Sequence, residues 1–205
     1  MGILTDLATQ GLLVNDELEL VNKMLLAIGE MPLAPTTLTK DLPLGTDAAI
    51  ARDILRDQAV LFLSHGWFFN TDYSKVLNPD VNHFISLPPT ILGVDFNGPG
   101  KRRYDVRQGL VFDVLNDSFK IHHTVTCDTI NLIDYEYFPL EAINYLVAIS
   151  SRIFQSKVIG SDSVTQMLLK EEGDAFKALH RRDTKEGNYA IRPDFLTHTG
   201  YLTRR

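Results

Sequence analysis

Hydrophobic and polar positions along the chain fall into stretches of different period. Residues 16 to 29, DELELVNKMLLAIG, place Leu18, Val21, Leu25 and Ile28 at steps of three and four, so these share one face of a predicted amphipathic helix. Asp16 and Glu19 stand at capping-box spacing at its start, and Gly29 offers a left-handed stop. A Pro- and Thr-rich connection follows, EMPLAPTTLTKDLPLGT, and a second helix is predicted from about Asp47 to His65. Its inward stripe is Ala51, Leu55, Ala59 and Phe62, broadened by Ile50, Ile54 and Leu61.

Directly behind that helix the chain spends its one tryptophan beside two phenylalanines, Gly66-Trp67-Phe68-Phe69, before the polar Asn70-Thr71-Asp72. Gly66 sits where the chain must turn with positive φ, and an apolar residue just past such a cap packs back on the last helical turn. If the chain continues extended, Trp67 and Phe69 point one way and Phe68 the other. Gly66, Trp67 and Phe69 are therefore expected to form a structural hinge that fixes a helix end to a sheet, in preference to a ligand-stacking site.

From Asn82 to Asp134 the period changes to two. Leu92, Val94 and Phe96 alternate with polar or small residues; so do Leu110, Phe112 and Val114, then Phe119 and Ile121. The pattern predicts a meander of short antiparallel strands with turns at NGPG and LNDS, and LPPT at 87 to 90 marks a strand break. Helical spacing returns at Pro139, with Ile143, Leu146, Val147, Ile153 and Phe154 on one side. The small residues Ala142, Ala148, Ser150 and Ser151 permit close approach of another helix. Gly160 ends this helix, Ser161 or Asp162 caps the next, and that one is apolar at Val164, Leu168, Ala175 and Leu179 and charged elsewhere. The last stretch, NYAIRPDFLTHTGYLTRR, has no period yet retains Tyr189, Phe195 and Tyr201, which it cannot bury alone.

The expected fold is thus α+β: a helical bundle formed by residues 1–80 and 138–187, an inserted antiparallel β-meander over 81–137, and an extended arm over 188–205. Length, 205 residues, allows one domain or two small ones, and 44% hydrophobic with 22% charged residues excludes disorder throughout. No apolar run reaches the roughly 20 residues that span a bilayer, so membrane insertion is not expected. The N-terminus lacks a basic region and carries Asp6, against a secretory signal. A single cysteine, Cys127, fits folding in a reducing cytoplasm. The net charge of −6 argues against tight nucleic-acid binding by the whole chain.

Candidate chemistry is sparse. GPGK at 98 to 101 has the wrong spacing for a phosphate loop and Arg102 where Ser or Thr is required, so a hairpin tip is the better reading. Its cluster Lys101, Arg102, Arg103 is a candidate partner contact, as are Tyr189, Phe195 and Tyr201 of the arm. His122, His123, Cys127 and Asp128 have metal-ligand chemistry, but adjacent residues on a strand face opposite sides and cannot easily chelate one ion. The acidic neighbours Glu171 and Glu172 point apart on their helix. Asp105, Asp113 and Asp117 could flank a glycosidic bond, with nothing in their spacing to select a pair. No nucleophile elbow, HExxH or dinucleotide fingerprint occurs, and neither an enzyme nor a cofactor is indicated.

Five segments, taken in order, resemble a known family. ELELVNKMLLAIGEMPL, DILRDQAVLFLSHGWFFNTD, LPPTILGVDF, RRYDVRQGLVFDVLNDSF and PLEAINYLVAISSRIFQ are similar to tail tubular protein A, the head-to-tail adaptor of short-tailed bacteriophages, over residues 17 to about 156. The helix ending in AIGE and the GW followed by FNT carry the most specific likeness. The resemblance implies a structural virion protein of the tail, assembled in the host bacterial cytoplasm. About twelve copies would form a ring between the portal protein and the nozzle protein, tail tubular protein B, with tail fibres docked outside and DNA passing transiently through the centre. A ring of twelve such chains carries roughly −70, which lets DNA slide without sticking. Two other readings stand beside it: a tail-associated hydrolase of host surface glycans using Asp113 and Asp117, and a DNA-binding module using Lys101 to Arg103 with Arg181 and Arg182.

Overall fold

The computed structural model describes residues 16–34, 46–96 and 103–186, a mixed α+β arrangement of four helices and two small antiparallel sheets. Helix α1, Glu17–Ala27, starts at Asp16, whose extended backbone lets its carboxylate accept from the Glu19 amide at 2.7 Å. The acid at Glu19 does not return a bond to the cap but pairs with Lys23 one turn on. The buried face of α1 is Leu20, Val21, Met24 and Leu25, whereas Leu18 and Ile28 of the predicted stripe are only half-buried. A helix wedged between two neighbours buries a wider arc than one stripe, and α1 packs on both helices described next.

Helix α2, Asp47–Ser64, is capped by Thr46 Oγ1, which accepts from the Ala49 amide. Its stripe of Ala51, Leu55, Ala59 and Phe62 is buried as expected, but Leu61 is 65% exposed. It precedes Phe62 by one residue, about 100° round the helix, and so leaves the core. Gly66 turns with φ 73°. The chain then folds into a turn rather than running extended, closed by the Asn70 amide donating to the Trp67 carbonyl.

Strand β1, Thr71–Leu77, follows at once, inside the stretch assigned on sequence to the helical portion. Its apolar residues fail to alternate because the register slips between Asp72 and Lys75, with Ser74 at φ 55°. Strand β2, Ile91–Phe96, and β5, Val125–Asn131, complete one sheet in the order β1-β5-β2. Strands β3, Tyr104–Arg107, and β4, Leu110–Asp113, form a separate hairpin. The strands are antiparallel, but their order is not that of a meander: β5, last in sequence, is central. The β3–β4 turn is Gln108-Gly109, both at positive φ as a tight two-residue hairpin requires. Phe119 and Ile121 do not form a strand. Ser118 makes one bridge to Asp113, and Ile121 is simply buried. The LPPT prolines lie in a turn ahead of β2, whereas NGPG lies outside the described residues.

After a 3₁₀ turn at Tyr135–Tyr137, α3, Leu140–Val158, begins at Pro139, and Gly160 at φ 69° separates it from α4, Asp162–Glu186. Helix α3 packs against α1, α2 and α4 alike. Two hydrophobic clusters result. One joins the helices and includes Trp67 and Phe138; the other lies among the strands and centres on Ile85, Phe96, Val111, Ile121, Val125 and Cys127. Among the described residues no helix is long and apolar enough to cross a membrane.

Candidate functional site

The junction between α2 and β1 gathers the aromatic residues singled out in the sequence. Trp67 is 4% exposed, its ring lies 5.1 Å from Phe62 and 4.7 Å from His65, and its Nε1 donates to the Phe62 carbonyl at 2.8 Å. A buried indole keeps its one donor satisfied by a carbonyl of the last helical turn, which also accepts from the His65 amide at 3.3 Å. Phe69 is half-buried against Phe62 and Phe138, so Trp67 and Phe69 both join the helical core. Phe68 turns instead toward α4, where the Arg182 guanidinium lies 5.7 Å from its ring centre.

Two polar residues that the sequence reading passed over hold this junction. Asn70, 2% exposed, accepts from the Trp67 amide at 2.7 Å and donates through Nδ2 to the carbonyls of Leu63 and Asn131, each at 2.9 Å. One side chain thereby ties the end of α2, the turn and β5 together. Asp183 is equally buried and accepts from the Phe68 amide at 2.9 Å, linking α4 to the same turn. Its signal in the sequence was position: it falls four residues after Leu179, on the inward stripe of an otherwise polar helix. Arg182 pairs with Glu141 at the start of α3, and Arg152 with Glu172 further along. Burial raises the Glu141 pKa, but the hydrogen bond and charge of Arg182 together with a backbone hydrogen bond more than offset it and leave the carboxyl below its ordinary value.

The strand region accounts for most of the remaining candidates. Arg103 is committed internally: its Nε and Nη2 donate to Asp113 Oδ2 at 3.2 and 3.0 Å, with the cation 5.3 Å from the Tyr104 ring. Asp113 also accepts from the Leu115 and Asn116 amides and from Asn116 Nδ2. Burial pushes its pKa up, while Arg103 and Asn116 pull it further down, so the carboxyl stays ionised below its ordinary range. A carboxylate so engaged organises its loop and is poorly suited to carry a proton to a leaving group. Asp117 sits in the following turn at φ 47°, exposed.

His122 and His123 take separate partners, as adjacent residues must. His122 lies 4.1 Å from the His83 ring, and His123 Nε2 is 2.7 Å from the Tyr104 hydroxyl. Cys127 is fully buried, and burial pushes its thiol pKa up to about 11. Lys101 and Arg102, and Tyr189, Phe195 and Tyr201, lie outside the described residues.

Two shallow grooves stand out among the described residues. One, of about 300 Å³, lies between α1, α3 and α4 with Lys23, Ser151 and Glu171 on its walls. The other, of about 220 Å³, runs beside α2 and includes Val60, Leu132 and the ion-paired Glu17 and Arg56. Neither groove brings together two uncommitted carboxylates. What the described geometry provides is cross-linking of helices to sheet around Trp67 and Asn70. No curated protein matches the chain at a significant level. A family model described as tail tubular protein matches residues 18–189, most of its length.

Proposed function

Because the chain belongs to the tail tubular protein family, and so is a structural component of the bacteriophage tail, we propose that it is the adaptor joining the portal to the tail nozzle. In this reading about twelve copies close into a ring around the path of the DNA, and tail fibres attach on its outer side. The observation that carries it is the extent of the family match, which runs from α1 through the whole of α4.

Other features support the same reading. A protein that transmits force along a tail needs its layers bound together. Here Asn70 and Asp183 fasten α2, α4 and the sheet to a single turn. A net charge of −6 per chain suits a channel through which DNA must slide. The helical segments would form the body of the ring, and residues 81–137 would project from it. The arm at 188–205, with the basic tip at Lys101 and Arg102, would meet the portal or an adjacent subunit.

Electron microscopy of the purified full chain mixed with its portal protein tests the proposal. A coaxial ring seated on the portal is the expected result. Failure of any coaxial assembly to form at micromolar concentrations of both components would overturn it.

A further inference from the structure

The groove beside α2 opens where α1 begins. One side is formed by Ala59, Val60 and Leu63 of α2, the other by Leu132, Ile133 and Tyr135 after β5. Val60 and Leu132 are 43% and 40% exposed, so among the described residues its lips are apolar and uncovered. Glu17, the first residue of α1, stands at one end and pairs there with Arg56. The run of the helices fixes where the chain before Glu17 points. The Phe62 ring lies 6.0 Å from Phe138 and 5.7 Å from Tyr145, so the end of α2 meets the start of α3. Tyr135, just before α3, shares this groove with Glu17, whereas Lys23 and Ala27 share the other groove with Val147 and Ser151 further along α3. Helix α1 therefore runs with α3 and against α2. Traced backwards through Glu17, its axis heads past Arg56 toward Val60 and Leu63.

Residues 1–15, MGILTDLATQGLLVN, join the chain at that point and lie outside the described residues. They carry Ile3, Leu4, Leu7, Leu12, Leu13 and Val14 against one charged side chain, Asp6. We infer that this leading segment seats in the groove of its own chain, with Leu12, Leu13 and Val14 covering Val60, Leu63 and Leu132. The lengths agree: α2 rises about 10 Å from Arg56 to Leu63, and about three extended residues before Glu17 cover the same distance. Glu17, Arg56 and Asp134 give the groove a polar edge, so backbone groups of an entering segment find partners there. Its volume, about 220 Å³, is below the roughly 300–1,000 Å³ of sites that enclose small ligands and suits a few aliphatic side chains. Connectivity commits the occupant. Val14 is tethered three residues from Glu17, and a segment of another copy would have to compete with that high local concentration. The seat lies on the last turns of α2, beside the Trp67 junction, and extends the helical core with chain that no local period identified.

Limited digestion of the full chain with chymotrypsin, read by mass spectrometry, tests the seat. Cleavage after Leu12 and Leu13 is expected to be slow in the wild type. Val60→Asp and Leu132→Asp each put a charge in the groove and should speed it about tenfold or more, the order set by losing the burial of one aliphatic side chain. Both positions are well exposed, so the fold is kept, and circular dichroism checks that it is. Val81→Asp, 93% exposed and outside the groove, should leave the rate unchanged. Equal cleavage of all four proteins overturns the inference. A second measurement avoids charged variants. Val14→Cys with Val60→Cys should form a disulfide within one chain under mild oxidation, and Val14→Cys with Val81→Cys should not. Cys127 is fully buried, so the introduced thiols report alone. Mixing isotope-labelled with unlabelled chains identifies the partner: a disulfide that joins two chains overturns the own-chain seat in favour of an exchanged segment. Failure of either measurement leaves the adaptor reading standing, since that reading is decided by the ring on the portal.

Discussion

The indole nitrogen of Trp67 donates to the carbonyl of Phe62 at 2.8 Å while the two rings lie 5.1 Å apart, so one residue pair both caps α2 and seals its end in the core. Replacing Trp67 with Phe keeps most of the packing but removes one of the two hydrogen bonds to the carbonyl, which retains the His65 amide, at a cost of about 1 kcal/mol. Trp67→Ala opens a cavity and costs about 3–5 kcal/mol. Urea unfolding followed by circular dichroism is expected to rank the wild type, Trp67→Phe and Trp67→Ala in that order. Equal midpoints for the wild type and Trp67→Ala would remove the hinge from the account of stability.

Asn70 is the more demanding position because no apolar substitute can satisfy its three partners. Asn70→Ala removes the Asn70 bonds to the Trp67 amide and to the carbonyls of Leu63 and Asn131, of which Leu63 retains the Gly66 amide, a loss of roughly 2–4 kcal/mol. Amide hydrogen exchange should show faster exchange at both the end of α2 and in β5. Acceleration confined to one of them would contradict the bridging role.

Asp183 ties α4 to the turn by accepting from the Phe68 amide, so the effect of its loss is expected at that contact. Asp183→Ala should release the end of α4 and increase proteolytic cleavage after Arg181 and Arg182, whereas Asp183→Asn, which keeps an acceptor oxygen, should cleave at a rate near that of the wild type. Identical cleavage of all three proteins would show that α4 is held by other means.

Acid should loosen the strand region through Asp113. Its folded pKa lies below the ordinary 3.8, so the stabilisation is present above that value and is lost as pH falls through the folded pKa. Glu141, depressed by Arg182 from 4.5, acts in the same direction at the α3–α4 contact. Thermal melts between pH 2 and pH 5 should therefore show a steep acid limb in the wild type that Asp113→Asn flattens. A variant limb as steep as that of the wild type would rule Asp113 out as a source of acid sensitivity.

Cys127 should be chemically silent in the folded protein. Its thiol is fully buried and titrates near 11, so a thiol-specific reagent at neutral pH is expected to label it only after denaturation. Rapid labelling of the native chain would mean that the β cluster opens readily.

Much of this protein was legible in its sequence because local physics fixed it. The 3.6-residue spacing of Ala51, Leu55, Ala59 and Phe62 determined α2 and its inward face, and the cap at Asp16 determined where α1 begins. Glycines at 66 and 160 turn where a residue with positive φ was needed. The order of the five quoted segments carried the family resemblance on its own. Tertiary structure alone decided what depends on distant partners. Strand β1 escaped notice because its bulge at Ser74 erases the alternation that marks a strand, and only pairing with β5 defines it. The central place of β5 could not be read from sequence, since strand order reflects which apolar faces meet rather than any local period. Asn70 and Asp183 looked like ordinary polar residues until folding brought Asn131 and Phe68 within hydrogen-bonding reach of them. A polar side chain acquires a structural role only where burial removes water as its alternative partner.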